Sequence, residues 1–256
     1  MLNYMKAEFF KTTHRKGFYL LTGVFVGLCL VVHGIYVFAL PSQAHGDYIN
    51  ELLLMGIALL PLPVFLIATI SSMTTGEEQR HDTLKNAVMG GMNRTAIFFG
   101  KYIVSLVISL ISACLILVAY AGAPMLLFGT GGLDATLLGE LGLRLLGSLP
   151  IYMACLALAT LLGLNMKSNT GSIFGYLAIF FFSNPILYYL FGKIVPFFRT
   201  LADYTLSSQL EGMYMTGGVY HPMTMRYVNE AMLVGIITLG IFLALGALLF
   251  QRREIK

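Results

Sequence analysis

Residues 76–101 read GEEQRHDTLKNAVMGGMNRTAIFFGK and separate two long apolar runs that carry no charge. The stretch itself is charged and has the composition of a short helix. Glu77 and Glu78 are favourable in a first helical turn, because a helix N-terminus attracts negative charge. Gly90 and Gly91 are typical of a helix end. A connection without a function needs only about four residues, so the stretch predicts a structured segment that a partner protein binds.

Composition indicates that the surrounding solvent is lipid. The 256 residues are 57% hydrophobic and 11% charged, and the mean hydropathy is +0.80. A soluble domain carries about 25% charged residues, so a soluble protein with a large core is disfavoured. Ten-residue segments of alternating polarity, which a membrane β-barrel requires, do not occur. We therefore predict an all-α polytopic membrane protein.

Six apolar runs are long enough to cross a bilayer, which takes about 20 residues. The predicted spans are 18–40, 52–71, 96–127, 145–164, 171–191 and 231–250. The first run is too long for a signal peptide and no cleavage site follows it, so it is predicted to remain as a span. Residues 1–256 are predicted to form a single transmembrane domain.

Charge asymmetry predicts the orientation of the chain. With six spans, one face carries twelve Lys and Arg residues and the other carries four, namely Arg144, Lys193, Arg199 and Arg226. Both termini are therefore predicted to be cytoplasmic. Residues 2–16 are basic and amphipathic and predict an interfacial helix among lipid headgroups, with a frayed tail as the alternative. Topology and anionic lipid explain the basic residues, so no nucleic-acid partner is predicted.

Small and polar residues inside the spans are candidates for packing or transport. Two pairs of glycines lie four residues apart and predict surfaces for dimer packing: Gly23 and Gly27, and Gly171 and Gly175. His33 and Asn184 are polar groups within spans and are candidates for a pathway or gate. The alternatives are a His33 ring that reaches the outer interface, and a kink at Asn184-Pro185.

Residues 192–230 form the longest extracellular segment, which is too polar to span and rich in Tyr, Phe and Met. One interpretation is an aromatic belt at the membrane interface. The other is an extracellular cap of short helices that closes an exit. In that case the candidate gate residues are Phe197, Phe198, Tyr204 and Tyr214.

The segment 76–94 also resembles part of a known family. Glu77-Glu78-Gln79-Arg80, Asp82-Thr83-Leu84 and Asn93-Arg94 are similar to the cytoplasmic coupling loop of permease subunits in ABC-2-type (type V) ABC exporters. That family has a Glu-rich stretch, Gly-Thr-Leu, a short helix, and Ser-Arg before the third span. Asp82 departs from the usual Gly, and Asn93, which is predicted to cap the next helix, from the frequent Ser. The order of the whole chain is similar too, from the amphipathic N-terminus to the segment before span six.

The resemblance implies the permease subunit of an ATP-driven exporter in the bacterial plasma membrane. Two permease subunits, as a homodimer or with a close paralogue, would each bind one of two separate ABC ATPase subunits. No G-x-x-x-x-G-K-[ST] motif occurs, so we predict no enzyme activity and no cofactor or metal in this chain, with ATP and Mg on the partner. The family pattern makes residues 80–89 the docking helix. The implied ATPase-coupling residues are Glu77, Glu78, Arg80, His81, Asp82, Thr83, Leu84, Lys85 and Val88. A solvated charged turn is the alternative.

The apolar walls expected around the cavity carry no ring of charge to select an ion. This favours an amphipathic or hydrophobic substrate. The resemblance to exporters of bacteriocin-immunity and phenol-soluble-modulin systems favours an antimicrobial or toxin-like peptide, with a drug or lipid exporter as the alternative. An intramembrane protease would need EExxxR, whereas Glu77–Arg80 is EExR, and the histidines lack metal-ligand spacing. A membrane sensor or anchor that transports nothing also remains open.

Overall fold

The computed structural model describes residues 1–39, 45–81, 88–129, 133–214 and 223–252, and within these ranges the chain is helical, with no strand. The longer helices are α1 (Leu2–Thr13), α2 (Lys16–Ala39), α3 (His45–Ala58), α4 (Pro63–His81), α5 (Arg94–Leu117), α7 (Ala135–Asn165), α8 (Asn169–Pro185) and α11 (Met225–Arg252). The short ones are α6 (Ala123–Phe128), α9 (Phe197–Asp203) and α10 (Leu206–Glu211). π-Helical turns follow α5 at Val118–Gly122 and α8 at Ile186–Leu190, and a 3₁₀ turn covers Phe191–Lys193.

Five helical stretches in the described ranges are long and apolar enough to cross a membrane. They are Lys16–Tyr36, Arg94–Leu127, Ala135–Asn165, Asn169–Lys193 and Met225–Arg252. A sixth crossing results if α3 and α4, which meet at 59°, are one broken span. An all-α chain with several membrane-spanning helices is thus confirmed.

The break between α3 and α4 lies at Pro61 and Pro63, inside the predicted span 52–71. Proline has no N–H and interrupts the helical ladder. The Val64 amide donates to the Pro61 carbonyl (3.2 Å) instead of continuing a regular helix from Leu60. The prolines therefore turn one predicted straight span into two segments.

Helix α4 continues to His81, ten residues beyond the predicted end of that span. Thr74 and Thr75 are polar but lie inside α4. Their hydroxyls donate to the Ser71 carbonyl at 2.9 and 2.8 Å. A buried hydroxyl that donates to a carbonyl of its own helix has a hydrogen-bond partner there, so the helix can continue through it.

Helix α7 begins at Ala135 rather than at the predicted residue 145 and is the most buried span. The predicted span started after Glu140 and Arg144 because these residues are charged. In the structure the two side chains lie one helical turn apart and form an ion pair at 2.9 Å. Helices α4 and α11 pack along α7. Gly235 permits the approach of α11, because a Cβ there would lie 2.7 Å from the backbone of Pro150.

The bundle has two ends. The basal end is the one that carries α1, the end of α4 and the start of α5, where Arg94 also donates to the Gln251 carbonyl of α11 (3.0 Å). The distal end carries α9, α10 and the start of α7. There the buried Arg144 donates to the Met213 carbonyl (2.8 Å), and Glu140 accepts from the Met223 amide. One ion pair thus holds both described sides of the segment between α10 and α11.

Candidate coupling site at the basal end

The backbone of Glu77, Glu78, Arg80 and His81 forms the last turns of α4. Their side chains, and all of Asp82, Thr83, Leu84 and Lys85, lie outside the described residues. Their assignment as ATPase-coupling residues therefore stays a prediction. The structure does show the two ends of the segment between α4 and α5. The segment begins at the end of α4, which we call its root, and the described residues resume at Val88, where what we call its exit leads into α5.

The exit of the segment packs on an apolar cluster at the basal end. Val88 and Met92 are half-buried against side chains of α5, α7 and α11, which are Ile97, Phe98, Leu164, Ala247 and Phe250. Gly91 closes the turn with φ +82°, a conformation that favours glycine. The Gly91 amide donates to the Val88 carbonyl (3.0 Å). Val88 and Met92 thereby attach the segment to a cluster that three helices share.

The start of α5 is fixed by a cap and by contacts to α11. The Asn93 side chain accepts from the Thr95 amide at 3.0 Å, so the predicted helix cap is present. The Gln251 amide donates to the Thr95 hydroxyl (2.6 Å). A change in the position of the segment's exit is therefore passed to both α5 and α11.

A buried lysine joins α1, α4 and α5. The Lys101 side chain is fully buried, and its ammonium donates to the Glu8 carboxylate (2.9 Å) and to the Thr74 carbonyl (2.8 Å). Glu8 lies on the inner face of α1, with 7% of its surface exposed. Removing one member of such a pair strands the other charge in the protein interior. The three helix ends are therefore held as one unit.

Further contacts surround Lys101 where α1, α4 and α5 meet. The Arg15 guanidinium donates to the Met73 carbonyl at 2.6 Å, and the hydroxyls of Thr74 and Ser105 lie 2.6 Å apart. Gly100 leaves room for the Tyr4 ring, which would be 3.2 Å from a Cβ at that position. Residues 2–13 of the predicted N-terminal segment thus form a helix that packs on α4 and α5.

The other side of the α4 end is packed against α7 and α8. A Cβ on Gly76 would lie 2.6 Å from the Asn169 side chain, and a Cβ on Gly163 would lie 2.4 Å from the Thr75 hydroxyl. A small cleft at this junction is lined by polar groups of Ser71, Ser72, Thr75, Asn169 and Ser172. Larger residues would push α4 away from its neighbours.

His33 does not share this site. Its ring is 1% exposed, lies 3.0 Å from the Tyr48 hydroxyl and contacts the Tyr120 carbonyl at 3.1 Å. The ring is buried in protein and does not reach outward to an interface. Asn184 sits just before the π-turn and donates to the Ala202 carbonyl (3.1 Å). It thereby links α8 to α9, while a role of either residue in a pathway stays a prediction.

The two predicted glycine pairs differ in their surroundings. Among the described residues, no atom lies within 4 Å of a Cβ placed on Gly23 or Gly27, so the described part of the chain leaves that face of α2 open. Gly171 and Gly175 lie beside the Met166 side chain, at 3.5 and 3.6 Å from such a Cβ. The second pair therefore contacts the α7–α8 turn of its own chain.

The four predicted gate residues lie within residues 192–230, at the distal end, and are not brought together with the coupling site. Phe197 and Tyr204 are exposed, and the half-buried Phe198 packs on Phe191 with ring centroids 5.4 Å apart. Burial, and then the nearby Glu211, raise the pKa of the half-buried Tyr214. This arrangement is consistent with either a belt or a cap.

The sequence interpretation missed Glu8 and Lys101 as a pair. Lys101 was counted among the basic residues that flank span three, although it lies inside the apolar run that begins at residue 96. Glu8 is the only acid before Asp47. A lone acid in a basic helix and a lysine within a span were the available signals.

A second missed feature surrounds the break of span two. Tyrosine hydroxyls from three helical segments donate to carbonyls of α3, the break and α4: Tyr120 to Leu52 (2.6 Å), Tyr152 to Leu60 (2.5 Å) and Tyr176 to Val64 (3.2 Å). We call these three residues the tyrosine clamp. Because the Val64 amide bonds elsewhere, the Leu60 carbonyl depends on Tyr152 for its partner.

Comparison with known families gives one match. The model of the ABC-2 family transporter protein matches residues 4–185, which is well over half of the chain and includes α1 through α8. No curated protein and no solved structure was found to match the chain.

Proposed function

This chain belongs to the ABC-2 family of transporter proteins and is a multi-pass membrane permease of an ABC transporter; we propose that it works as an exporter. The proposed complex has two permease subunits, as a homodimer or with a close paralogue, and two separate ABC ATPase subunits. It lies in the bacterial plasma membrane with both termini in the cytoplasm. The family implies an ATPase partner in general, and the copy numbers and direction are our proposal.

The observation that carries the proposal is the contact set of Lys101. The segment between α4 and α5 is rooted where Lys101 binds Glu8 and the Thr74 carbonyl, and it leaves through Val88 on the basal cluster. Movement of this segment would therefore shift α4 and α5 together with α1. A partner that closes on ATP could use the segment as a lever, with residues 77–89 as its contact.

The proposed substrate is amphipathic or hydrophobic, with an antimicrobial or toxin-like peptide preferred. This proposal is supported by the apolar spans of the sequence, which offer no ring of charge to select an ion, and by the family resemblance. A drug or a lipid is the second candidate. The open Gly23–Gly27 face of α2 supports a packing surface for the other permease.

The test is transport by the reconstituted complex. The permease and a co-purified ABC ATPase are placed in inside-out vesicles with a fluorescent amphipathic peptide outside. ATP-dependent accumulation of the peptide is expected. If neither the peptide nor a lipophilic drug accumulates with ATP, although the complex is intact, the exporter proposal is wrong.

Substitution of the two glutamates separates coupling from proteolysis. Glu77→Gln together with Glu78→Gln is expected to abolish stimulation of the ATPase, and Glu51→Gln, an exposed acid on α3, is the matched control. The same variants are assayed for cleavage of membrane peptides. Cleavage by the unaltered protein that disappears with the double substitution would assign the glutamates to a protease instead.

A further inference from the structure

We propose that the distal end carries a binding site for the headgroup phosphate of an anionic phospholipid. The site, here called the distal cationic surface, consists of Lys193 and Arg199 with the apolar side chains of Ile194, Val195 and Phe197. It does not depend on the proposed transport function. Its ligand is the bilayer's own anionic lipid, such as a phosphatidylglycerol.

A glycine lets the Arg199 side chain pack against the backbone beside Lys193. A Cβ on Gly192 would lie 2.6 Å from Cγ of Arg199 and 3.5 Å from its backbone nitrogen. The aliphatic part of Arg199 therefore packs directly on the backbone next to Lys193. The guanidinium lies 5.8 Å from the centroid of the Tyr188 ring, a cation–π distance that fixes its direction.

Neither charge is neutralised by the described part of the chain. Lys193 and Arg199 are both exposed, and no carboxylate pairs with either of them among the described residues. Arg144, another basic residue of the distal end, is buried and paired with Glu140. Since distal basic residues are few in this chain, an exposed lysine and an exposed arginine that no described carboxylate pairs with favour an anionic ligand.

The height of the surface along the bundle matches that of lipid headgroups. The candidate span Asn169–Lys193 ends at Lys193, so this lysine lies where the chain leaves the membrane. Directly after it, Ile194 is 77% exposed, and Phe197 is 65% exposed. Large apolar side chains beside cations at this height are typical of a segment that lies in the interface, with its apolar side toward the acyl chains.

The chemistry of the two cations favours phosphate. A guanidinium offers paired N–H donors that match two phosphate oxygens, and a lysine adds a point charge. A zwitterionic lipid carries its own cation next to the phosphate, whereas an anionic lipid leaves the negative charge for the protein. The surface should therefore prefer anionic lipid over phosphatidylcholine.

Tryptophan fluorescence tests this preference, because the chain contains no tryptophan. Phe197→Trp protein is placed in vesicles in which bromine atoms, which quench tryptophan, are on the acyl chains of either phosphatidylglycerol or phosphatidylcholine at equal mole fraction. Each cation near a membrane surface is worth an enrichment of roughly fivefold in anionic lipid. We expect stronger quenching when the bromines are on phosphatidylglycerol. Ile194→Trp serves if Phe197→Trp does not fold.

Three variants serve as controls. Ile237→Trp reports an exposed position near the middle of α11, away from the charged residues at its ends, and should be quenched equally by both lipids. Lys193→Gln with Arg199→Gln should remove the preference at residue 197. Gly192→Ala keeps both charges but displaces the stem of Arg199, so the preference should weaken. Size-exclusion chromatography and circular dichroism establish that each variant is folded.

Two outcomes would overturn the proposal. Equal quenching by the two brominated lipids at residue 197 would mean an apolar contact without headgroup selection. Absence of quenching by either lipid, while Ile237→Trp is quenched, would mean that protein, such as a second copy of the chain, covers the surface. The assay contains neither ATPase nor cargo, so its result is independent of the transport test.

Discussion

The ammonium of Lys101 in α5 lies 2.9 Å from the carboxylate of Glu8 in α1, and the lysine is fully buried. The same ammonium donates to the Thr74 carbonyl of α4. A single cation therefore links the N-terminal helix to both spans that border the coupling segment. The pair is the first target for mutation.

Removal of either partner is expected to destabilise the protein more than removal of both. Lys101→Met leaves the Glu8 carboxylate buried without this partner, at a cost of about 3–5 kcal/mol. Glu8→Gln leaves the buried ammonium with the Thr74 carbonyl. In the double variant no charge is stranded, so its loss of stability should be smaller than the sum of the single losses.

Reaction of Cys155 with a thiol-reactive dye during heating measures this stability, because that cysteine is buried. The more accessible Cys29 and Cys114 are replaced by serine in all variants. Strictly additive losses of melting temperature would contradict the coupling between Glu8 and Lys101.

Acidification should weaken the start of α7 through Asp134. Hydrogen bonds from the Thr136 hydroxyl and amide hold the pKa of Asp134 below its usual value. A carboxyl whose pKa is lowered in the folded state stabilises the protein above its unfolded pKa. That contribution is lost as the pH falls from about 4 through the folded value.

The substitution Asp134→Asn provides the matched reference, because asparagine caps a helix about as well as aspartate but does not titrate. Near neutral pH the two proteins should melt at similar temperatures. Below about pH 4 the unaltered protein should melt at a lower temperature than Asp134→Asn. A difference in melting temperature that does not change with pH would exclude a role of the carboxylate.

The sequence predicted an all-α chain with several membrane-spanning helices because about 20 apolar residues are needed for a crossing whatever surrounds them. It failed at boundaries where polar groups are satisfied internally. Thr74 and Thr75 bond back within α4, and Glu140 pairs with Arg144, so both helices extend past the points where polarity predicted an end.

The location of the candidate site stays a prediction, and it was available from the sequence because the local composition of residues 76–94 stands out without knowledge of the fold. The partners of the site were not predictable from composition, because the residues that meet are far apart in the chain. Glu8 and Lys101 are 93 positions apart, and only helix packing brings them together.

Within the tyrosine clamp, Tyr152 is expected to stabilise the break of span two. Tyr152→Phe removes the donor to the Leu60 carbonyl, which leaves a polar group of the broken helix unsatisfied, at about 1–3 kcal/mol. Tyr102→Phe is the control, because its bond to the Met153 carbonyl is long at 3.4 Å. The dye assay at Cys155 should show a clearly lower melting temperature for Tyr152→Phe. Equal effects of the two substitutions would mean that the break does not depend on the clamp.

Val88 and Met89 are neighbours with opposite environments, and this separates packing from docking. Val88 is half-buried on the basal cluster, whereas Met89 is 79% exposed. Val88→Asp should lower the melting temperature, because a carboxylate placed among apolar side chains is costly. Met89→Asp should leave the melting temperature unchanged and lower the stimulation of the partner ATPase, if the segment is the docking surface that we propose. Unchanged ATPase stimulation by Met89→Asp in an intact complex would place the docking contact elsewhere, while loss of stability in Met89→Asp would contradict its exposure.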